Sequence, residues 1–390
     1  MNRLIINLLL ILVFFSCSDQ KKTKDLSEDF KILSEKVINF RDESKLVKLS
    51  EITKESPNFI FLETTENSLI GRIDKIIFYN EFIFILDSFI AEAILIFNKE
   101  GKFIKKLSSQ GEGPDQYKKP LDFFVENEKI WILDNGREIK VFDIKGDLMD
   151  IIKIKSLSAI KFQKSNDSSV FSFVSGDIDD NLIVTDKDLN RINSRFPYIN
   201  RDVDKVIINP IYKQYDSGEI IYRRNYNDTL YSIDKFGSIR PYKFINYGSN
   251  GIDHKTFSSI KSSIMPNDLL DKFAYTTYFS ENLKNEYLVF SFKDDYWISV
   301  YDKKNETSIL FTYENYLNDL TYEKDSYAIG TTKEELIFLV IPQSLKAHEE
   351  KIIANANNKF PPEFYQNIKN VSPDDNPILM LVKYVLASTD

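Results

Sequence analysis

The sequence predicts an all-β fold, a six-bladed β-propeller with four-stranded antiparallel blades, and three observations carry that prediction. The first is a repeat. F-I-F-I-L-D at Phe82–Asp87, followed by I-F-N-K-E-G-K at 96–102, returns as K-I-W-I-L-D at Lys129–Asp134, followed by V-F-D-I-K-G-D at 141–147. A period of about 45 residues is the length of one propeller blade. The second is a recurring turn, an apolar pair followed by Asp or Asn with Gly or Asn three positions on, which recurs at 231–237 and 300–305. The third lies in the ends of the domain. Segments 335–341 and 377–385 read as strands of a blade lacking its outer member, and N-F-I-F-L-E at 58–63 stands before the first full blade without a partner. Pairing the two ends removes an open sheet edge that otherwise invites aggregation.

Taken in order, residues 1–16 place Arg3 before an apolar run from Leu4 to Phe15, which ends at Ser16-Cys17. That run is short for a membrane span and has the length of a signal-peptide core. A small residue before a lone cysteine resembles a bacterial lipoprotein signal, and the resemblance implies cleavage before Cys17 and lipidation there. Residues 17–44 are polar and rich in Lys, Asp and Glu, as expected of a flexible lipidated tether. The propeller is assigned to 45–390. Its first blade takes strands at 73–78, 82–86, 93–97 and 103–107, with Gly101 supplying positive φ in the last hairpin. The second runs over 121–154. Dividing the span from about Asn58 to the C-terminus, less its insertions, by the blade length gives near six.

Composition narrows the chemistry. A formal charge of −8 with no clustered basic stretch argues against a nucleic-acid partner. One cysteine and two histidines, His254 and His348, rule out internal disulfides, multi-Cys zinc sites and three-imidazole centres. No G-x-S-x-G elbow is present.

Strand parity sorts the loops. Loops between second and third strands share a face with the crossovers between blades, and the tight D-x-K-G turns fall on the other. The long segments 108–119, 196–216, 247–272 and 343–373 all fall on the first face, so the ligand site is expected there. Two of them, 261–272 and 344–357, read as helices beside the channel mouth, the second capped by Ser344.

Candidate ligand residues follow from that face. Glu112 and Asp115 lie in S-S-Q-G-E-G-P-D-Q-Y, which reads either as a ligand loop or as a stiff crossover. Arg137 belongs to the same group. Arg223 and Arg224 would hold a carboxylate or sulfate in bidentate fashion, or form salt bridges between blades; Asp228 follows them. Asp294 and Asp295 precede Tyr296-Trp297, a pair suited to stacking a sugar. Asp87 and Asp134 end equivalent strands, where carboxylates either bind calcium or cap turns. No catalytic residue, resident metal or other cofactor is assigned.

The motifs L-E-T-T with S-L-I-G at 62–71, Q-G-E-G-P-D-Q-Y at 110–117, N-D-T-L-Y at 227–231 and D-N-P-I-L at 375–379 resemble those of the six-bladed β-propeller lipoproteins of Bacteroidetes, relatives of NHL-type propellers. The resemblance implies an outer-membrane lipoprotein, facing the periplasm or the surface, that recognises a glycan, peptide or envelope partner without catalysis. The alternatives are a carboxylate- or calcium-assisted hydrolase or lyase at the channel mouth, and a purely structural envelope component.

Overall fold

The computed structural model describes residues 34–386, apart from 39–45, 54, 108–115, 156, 166–169, 176–179, 198–209, 225, 254–255, 257–268, 270–271, 324–325, 356–359 and 385. Cys17, Glu112, Asp115, His254 and most of the expected helix at 261–272 lie outside the described residues.

Six four-stranded antiparallel blades form the domain. Blade 1 takes Lys75–Tyr79, Phe82–Asp87, Ala93–Asn98 and Phe103–Leu107; blade 2 runs from Pro120–Glu126 to Leu148–Lys153. Blades 3, 4 and 5 begin at Ala159–Lys164, Ile211–Lys213 and Tyr275–Glu281. Blade 6 orders Ala328–Thr331, Leu336–Val340, Ile378–Val382 and then Asn58–Phe61 from the other end of the chain. In that last pairing Met380 faces Phe59 and Leu379 faces Ile60, antiparallel, which is the closure expected from sequence.

The apolar repeat builds this ring because the middle strands of each blade are covered on both sides. Ile83 and Ile85 pack toward blade 6, against Ile337 and Leu379. Phe84 and Leu86, one residue out of phase, pack toward blade 2, against Phe123, Ile130 and Ile132. All four are 0% exposed, and each such side chain contributes roughly 1.5–3 kcal/mol of burial. Six apolar clusters result, one for each blade interface.

The recurring turn has a common geometry. Asn98, Asp143 and Asp234 accept from the backbone N–H four residues on, at 2.8–3.0 Å, and the glycine takes positive φ, +87° at Gly101. A Cβ at Gly101 would lie 2.3 Å from the Phe61 carbonyl oxygen, so this turn also receives the closing strand. A fifth copy, Asp186–Asn190, escaped sequence reading because Leu189 occupies the glycine position, at φ +62°. In the copy at 302–306 the positive φ falls on Glu306 rather than Asn305, whose side chain bonds Asp302 and the Leu386 carbonyl.

Three expectations need correction. Ser34–Val37 is not tether but a fifth strand on blade 4, parallel to Ile239–Asn246. Its Ile38 neighbour is buried and Lys36 lies 4.3 Å from the Tyr301 ring centroid, so the domain begins earlier than residue 45. The helix expected at 344–357 is two helices, Pro342–Ala347 and Glu349–Asn355, broken at His348. It starts with Pro342 in the first turn, where its missing N–H costs nothing, and Ser344 is not its cap. Finally, these helices and Pro362–Asn370 do not line the channel cavity. The Phe364 ring lies 4.3 Å from that of Phe59, tilted by 37°, and 6.1 Å from that of Phe61, placing Pro362–Asn370 against the closing strand at the periphery.

Candidate functional site: the central channel

A first strand is the inner edge of its blade, so its outward backbone groups and terminal side chains face the propeller axis. The last residues of the six first strands are Tyr79, Glu126, Lys164, Lys213, Glu281 and Thr331. Every one is polar, whereas the second and third strands are dominated by Ile, Leu, Val and Phe. Five of them, with Gln163 in place of its neighbour Lys164, surround a cavity of about 620 Å³ to which all six blades contribute. That volume falls within the range of small-ligand sites.

The cavity lies toward the end where first strands turn into second strands. Asn127, Gln214, Tyr215 and Lys333, all beyond first-strand ends, help line it, whereas the entering residues of blades 2, 3 and 5 do not. By parity this is the end of the D-x-K-G turns. The expectation that the site lies on the long-loop face therefore does not match the position of the cavity.

Two contacts cross the channel. Lys213 of blade 4 pairs with Glu126 of blade 2 at 2.6 Å, and Tyr215 donates to the Thr331 carbonyl of blade 6 at 2.6 Å. Lys164 also reaches Glu126, at 3.6 Å, so two lysines share one carboxylate. Glu281 accepts from Tyr212, Gln214, Tyr242 and Lys303 at 2.9–3.1 Å. Burial would raise its carboxyl, but Lys303, Lys243 and Gln214 outweigh that and hold it below the usual glutamate range. Gln163, 7% exposed, spends Oε1 on the Lys164 N–H.

The residues expected from sequence sit elsewhere, and none of Arg137, Arg223, Arg224, Asp228, Asp294 and Asp295 lines the cavity. Arg137 is exposed and donates to the Leu157 carbonyl at 3.2 Å. Arg223, 2% exposed, donates from Nη1 and Nη2 to the carbonyls of Thr276 and Thr277, at 3.0 and 2.9 Å. It thus caps two inner-edge carbonyls of blade 5. Arg224 donates to the Pro197 carbonyl of blade 3 and lies over Phe196. Asp294 occupies the tight turn before Asp295, at φ +57°; Trp297 is buried and Tyr296 exposed, as strand alternation requires. Asp87 and Asp134 cap. Asp87 accepts from the N–H groups of Gly71, Arg72 and Ile90, and Asp134 from those of Lys118 and Lys119. Among the described residues no group of three His, Cys, Asp or Glu is placed to hold a metal ion.

Asp228 differs from the others. Its Oδ1 is enclosed without a hydrogen-bond partner, and burial holds its carboxyl well above the usual aspartate range. A raised folded pKa means the folded state binds the extra proton as pH climbs past the unfolded value. This contribution therefore lowers stability from about pH 4 upward until the folded group titrates. Asp228→Asn should raise stability at pH 7 by about 1–2 kcal/mol, with the gain vanishing near pH 4. Denaturant titrations at the two pH values check this, and equal effects at both would refute it.

The family model described as a domain of unknown function, DUF4934, matches residues 35–383. The chain belongs to the DUF4934 family. No curated protein matches it in sequence. Among solved structures this DUF4934 chain is similar to a candidate exported protein from Bacteroides fragilis, at 18% identity and TM-score 0.72, covering 91% of this chain and 100% of that one. It is also similar to a DUF4221 family member from Bacteroides vulgatus, at 11% identity and TM-score 0.49, covering 88% and 99%. The first likeness is one of fold and agrees with the six-bladed ring.

Proposed function

We propose that this DUF4934 protein is a cell-envelope lipoprotein, anchored through Cys17 to the outer membrane, that binds a small ligand in its central channel without transforming it. The observation that carries the reading is the cavity to which all six first strands contribute. Its carboxylates support binding over catalysis. Glu281 is held ionised by four donors, so it is not poised as a general acid near neutral pH, and Glu126 is engaged by two lysines. Anchoring rests on the Ser16-Cys17 junction after a short apolar core. The fold of the candidate exported protein agrees with an envelope location without identifying one.

The test uses a glycan and peptide array probed with the full chain and with a channel-filling Gln163→Trp variant. Binding that the variant abolishes supports the channel site, and binding it leaves intact overturns it. Turnover of the captured ligand would favour the hydrolase or lyase reading instead. Cys17→Ala should release the protein from membranes; unchanged fractionation, with no lipid mass on the wild type, would remove the anchor from the proposal.

A further inference from the structure

Resting on the channel reading, we propose that Lys213, Gln214 and Tyr215 form a gate across the turn-side mouth of the cavity, with the Tyr215 side chain as its moving leaf. These three consecutive residues of blade 4 line the cavity and reach three other blades. Lys213 pairs with Glu126 of blade 2 at 2.6 Å, and Gln214 Nε2 donates to Glu281 of blade 5 at 2.9 Å. Tyr215 donates to the Thr331 carbonyl of blade 6 at 2.6 Å. Blades 2 and 6 are not neighbours of blade 4 in the ring, so the Lys213 and Tyr215 side chains pass over the channel to reach them. A short segment thus bars the end toward which the cavity lies.

The three contacts are not held equally. Glu281, 4% exposed, accepts from four donors, so the Gln214 contact belongs to a buried network. Tyr215 is 40% exposed, and its hydroxyl is fixed by the Thr331 carbonyl alone. The turn beyond it closes on itself. Gln214 donates to the Glu219 carbonyl at 2.9 Å, Gly218 to the Gln214 carbonyl at 3.2 Å, and Ser217 Oγ to Gln214 Oε1 at 2.7 Å. The Tyr215 side chain can therefore swing toward solvent without opening the turn or breaking the contacts of Lys213 and Gln214. Thr331 is half-buried, so water can satisfy its carbonyl once the tyrosine leaves. Exchanging one such hydrogen bond for water costs little, which keeps an open state populated, and exposed side chains change rotamer rapidly.

The experiment needs no ligand. Cys17 is the one cysteine of the chain, so Cys17→Ala with Gln163→Cys leaves a single thiol, placed at a residue that lines the cavity and is 7% exposed. Its alkylation by iodoacetamide and by the bulkier N-ethylmaleimide is timed in the full chain with Tyr215 intact, with Tyr215→Phe and with Tyr215→Ala. Phe236→Cys, at a turn residue 75% exposed and outside the cavity, replaces Gln163→Cys as the control. Tyr215→Phe should speed alkylation of the channel thiol several-fold and Tyr215→Ala roughly ten-fold, with control rates and melting temperature unchanged. A fall in melting temperature with no selective gain at the channel thiol would make Tyr215 a tie between blades and overturn the gate. Equal channel rates with and without the tyrosine hydroxyl and ring would overturn the gate and leave the channel reading in place. A channel thiol that neither reagent reaches in any variant, though both react with it after unfolding, would overturn both.

Discussion

Asn376→Ala is expected to lower stability by about 3–5 kcal/mol, because one side chain joins the two ends of the ring. Asn376 Oδ1 accepts from the Ile70 N–H at 2.9 Å. Its Nδ2 donates to the carbonyls of Glu63 and Ser68, at 2.9 and 2.8 Å, and its backbone N–H bonds Thr64 Oγ1. Alanine would strand three backbone groups around a residue that is only 3% exposed. Asn376→Asp should do little better, since it keeps the acceptor for Ile70 but turns an anion toward two carbonyl oxygens. Guanidinium denaturation measures the loss, and proteolysis near residues 58–63 should accelerate with it. An unchanged midpoint with unchanged proteolysis would mean the ends hold without this clasp.

The second large effect concerns Arg223, where two accounts diverge. As a staple between blades, it leaves two buried carbonyls and a void when replaced by alanine, at a cost of about 2–4 kcal/mol. As a ligand clamp, it would cost binding and spare stability. The geometry supports the staple. Burial also lowers its guanidinium to about 10, a sign of how completely it is withdrawn from water. Arg223→Lys should recover only part of the loss, because an ammonium cannot bridge the Thr276 and Thr277 carbonyls with a planar fork. Thermal unfolding beside ligand titration separates the accounts, and a stable Arg223→Ala protein with weakened binding would sink the staple.

Much of the fold was legible because blade construction repeats local chemistry. The strand pair around Phe84 and Trp131, the turns at Gly101 and Gly146, and the unpaired segment 58–63 each carry a pattern that has one comfortable arrangement. Two of the family-like motifs also explain one another, for Asn376 in D-N-P-I-L bonds Glu63, Thr64, Ser68 and Ile70 in the other. The cavity was not legible in the same way. Its polar residues come from all six blades in short groups tens of residues apart, and no group makes a motif. Polar termini on six consecutive first strands were the available signal, at Tyr79, Glu126, Lys164, Lys213, Glu281 and Thr331. Charged pairs on loops drew attention instead, and Arg223 and Arg224 proved to be occupied by neighbouring backbones. Ser34–Val37 was hidden for another reason. Its composition is that of a linker, and only the free edge of Ile239–Asn246 makes it a strand.

Closure by the strand Asn58–Phe61 sets a timetable for making the protein. Phe59 meets Met380, a partner 321 positions later in the chain. At roughly 5–20 residues per second of synthesis, the early strand waits about 16–64 seconds for it. During that interval Phe59, Ile60 and Phe61 lack the neighbours that later cover them, and their unpaired backbone can accept the wrong strand. The four consecutive strands of each of the other five blades can pair as they emerge, with Ser34–Val37 joining once Ile239–Asn246 is made, but the sixth blade is incomplete until its last strand meets Asn58–Phe61. Loop-closure entropy falls on that one step, so completion of the ring, rather than formation of any blade, should govern how fast the chain matures.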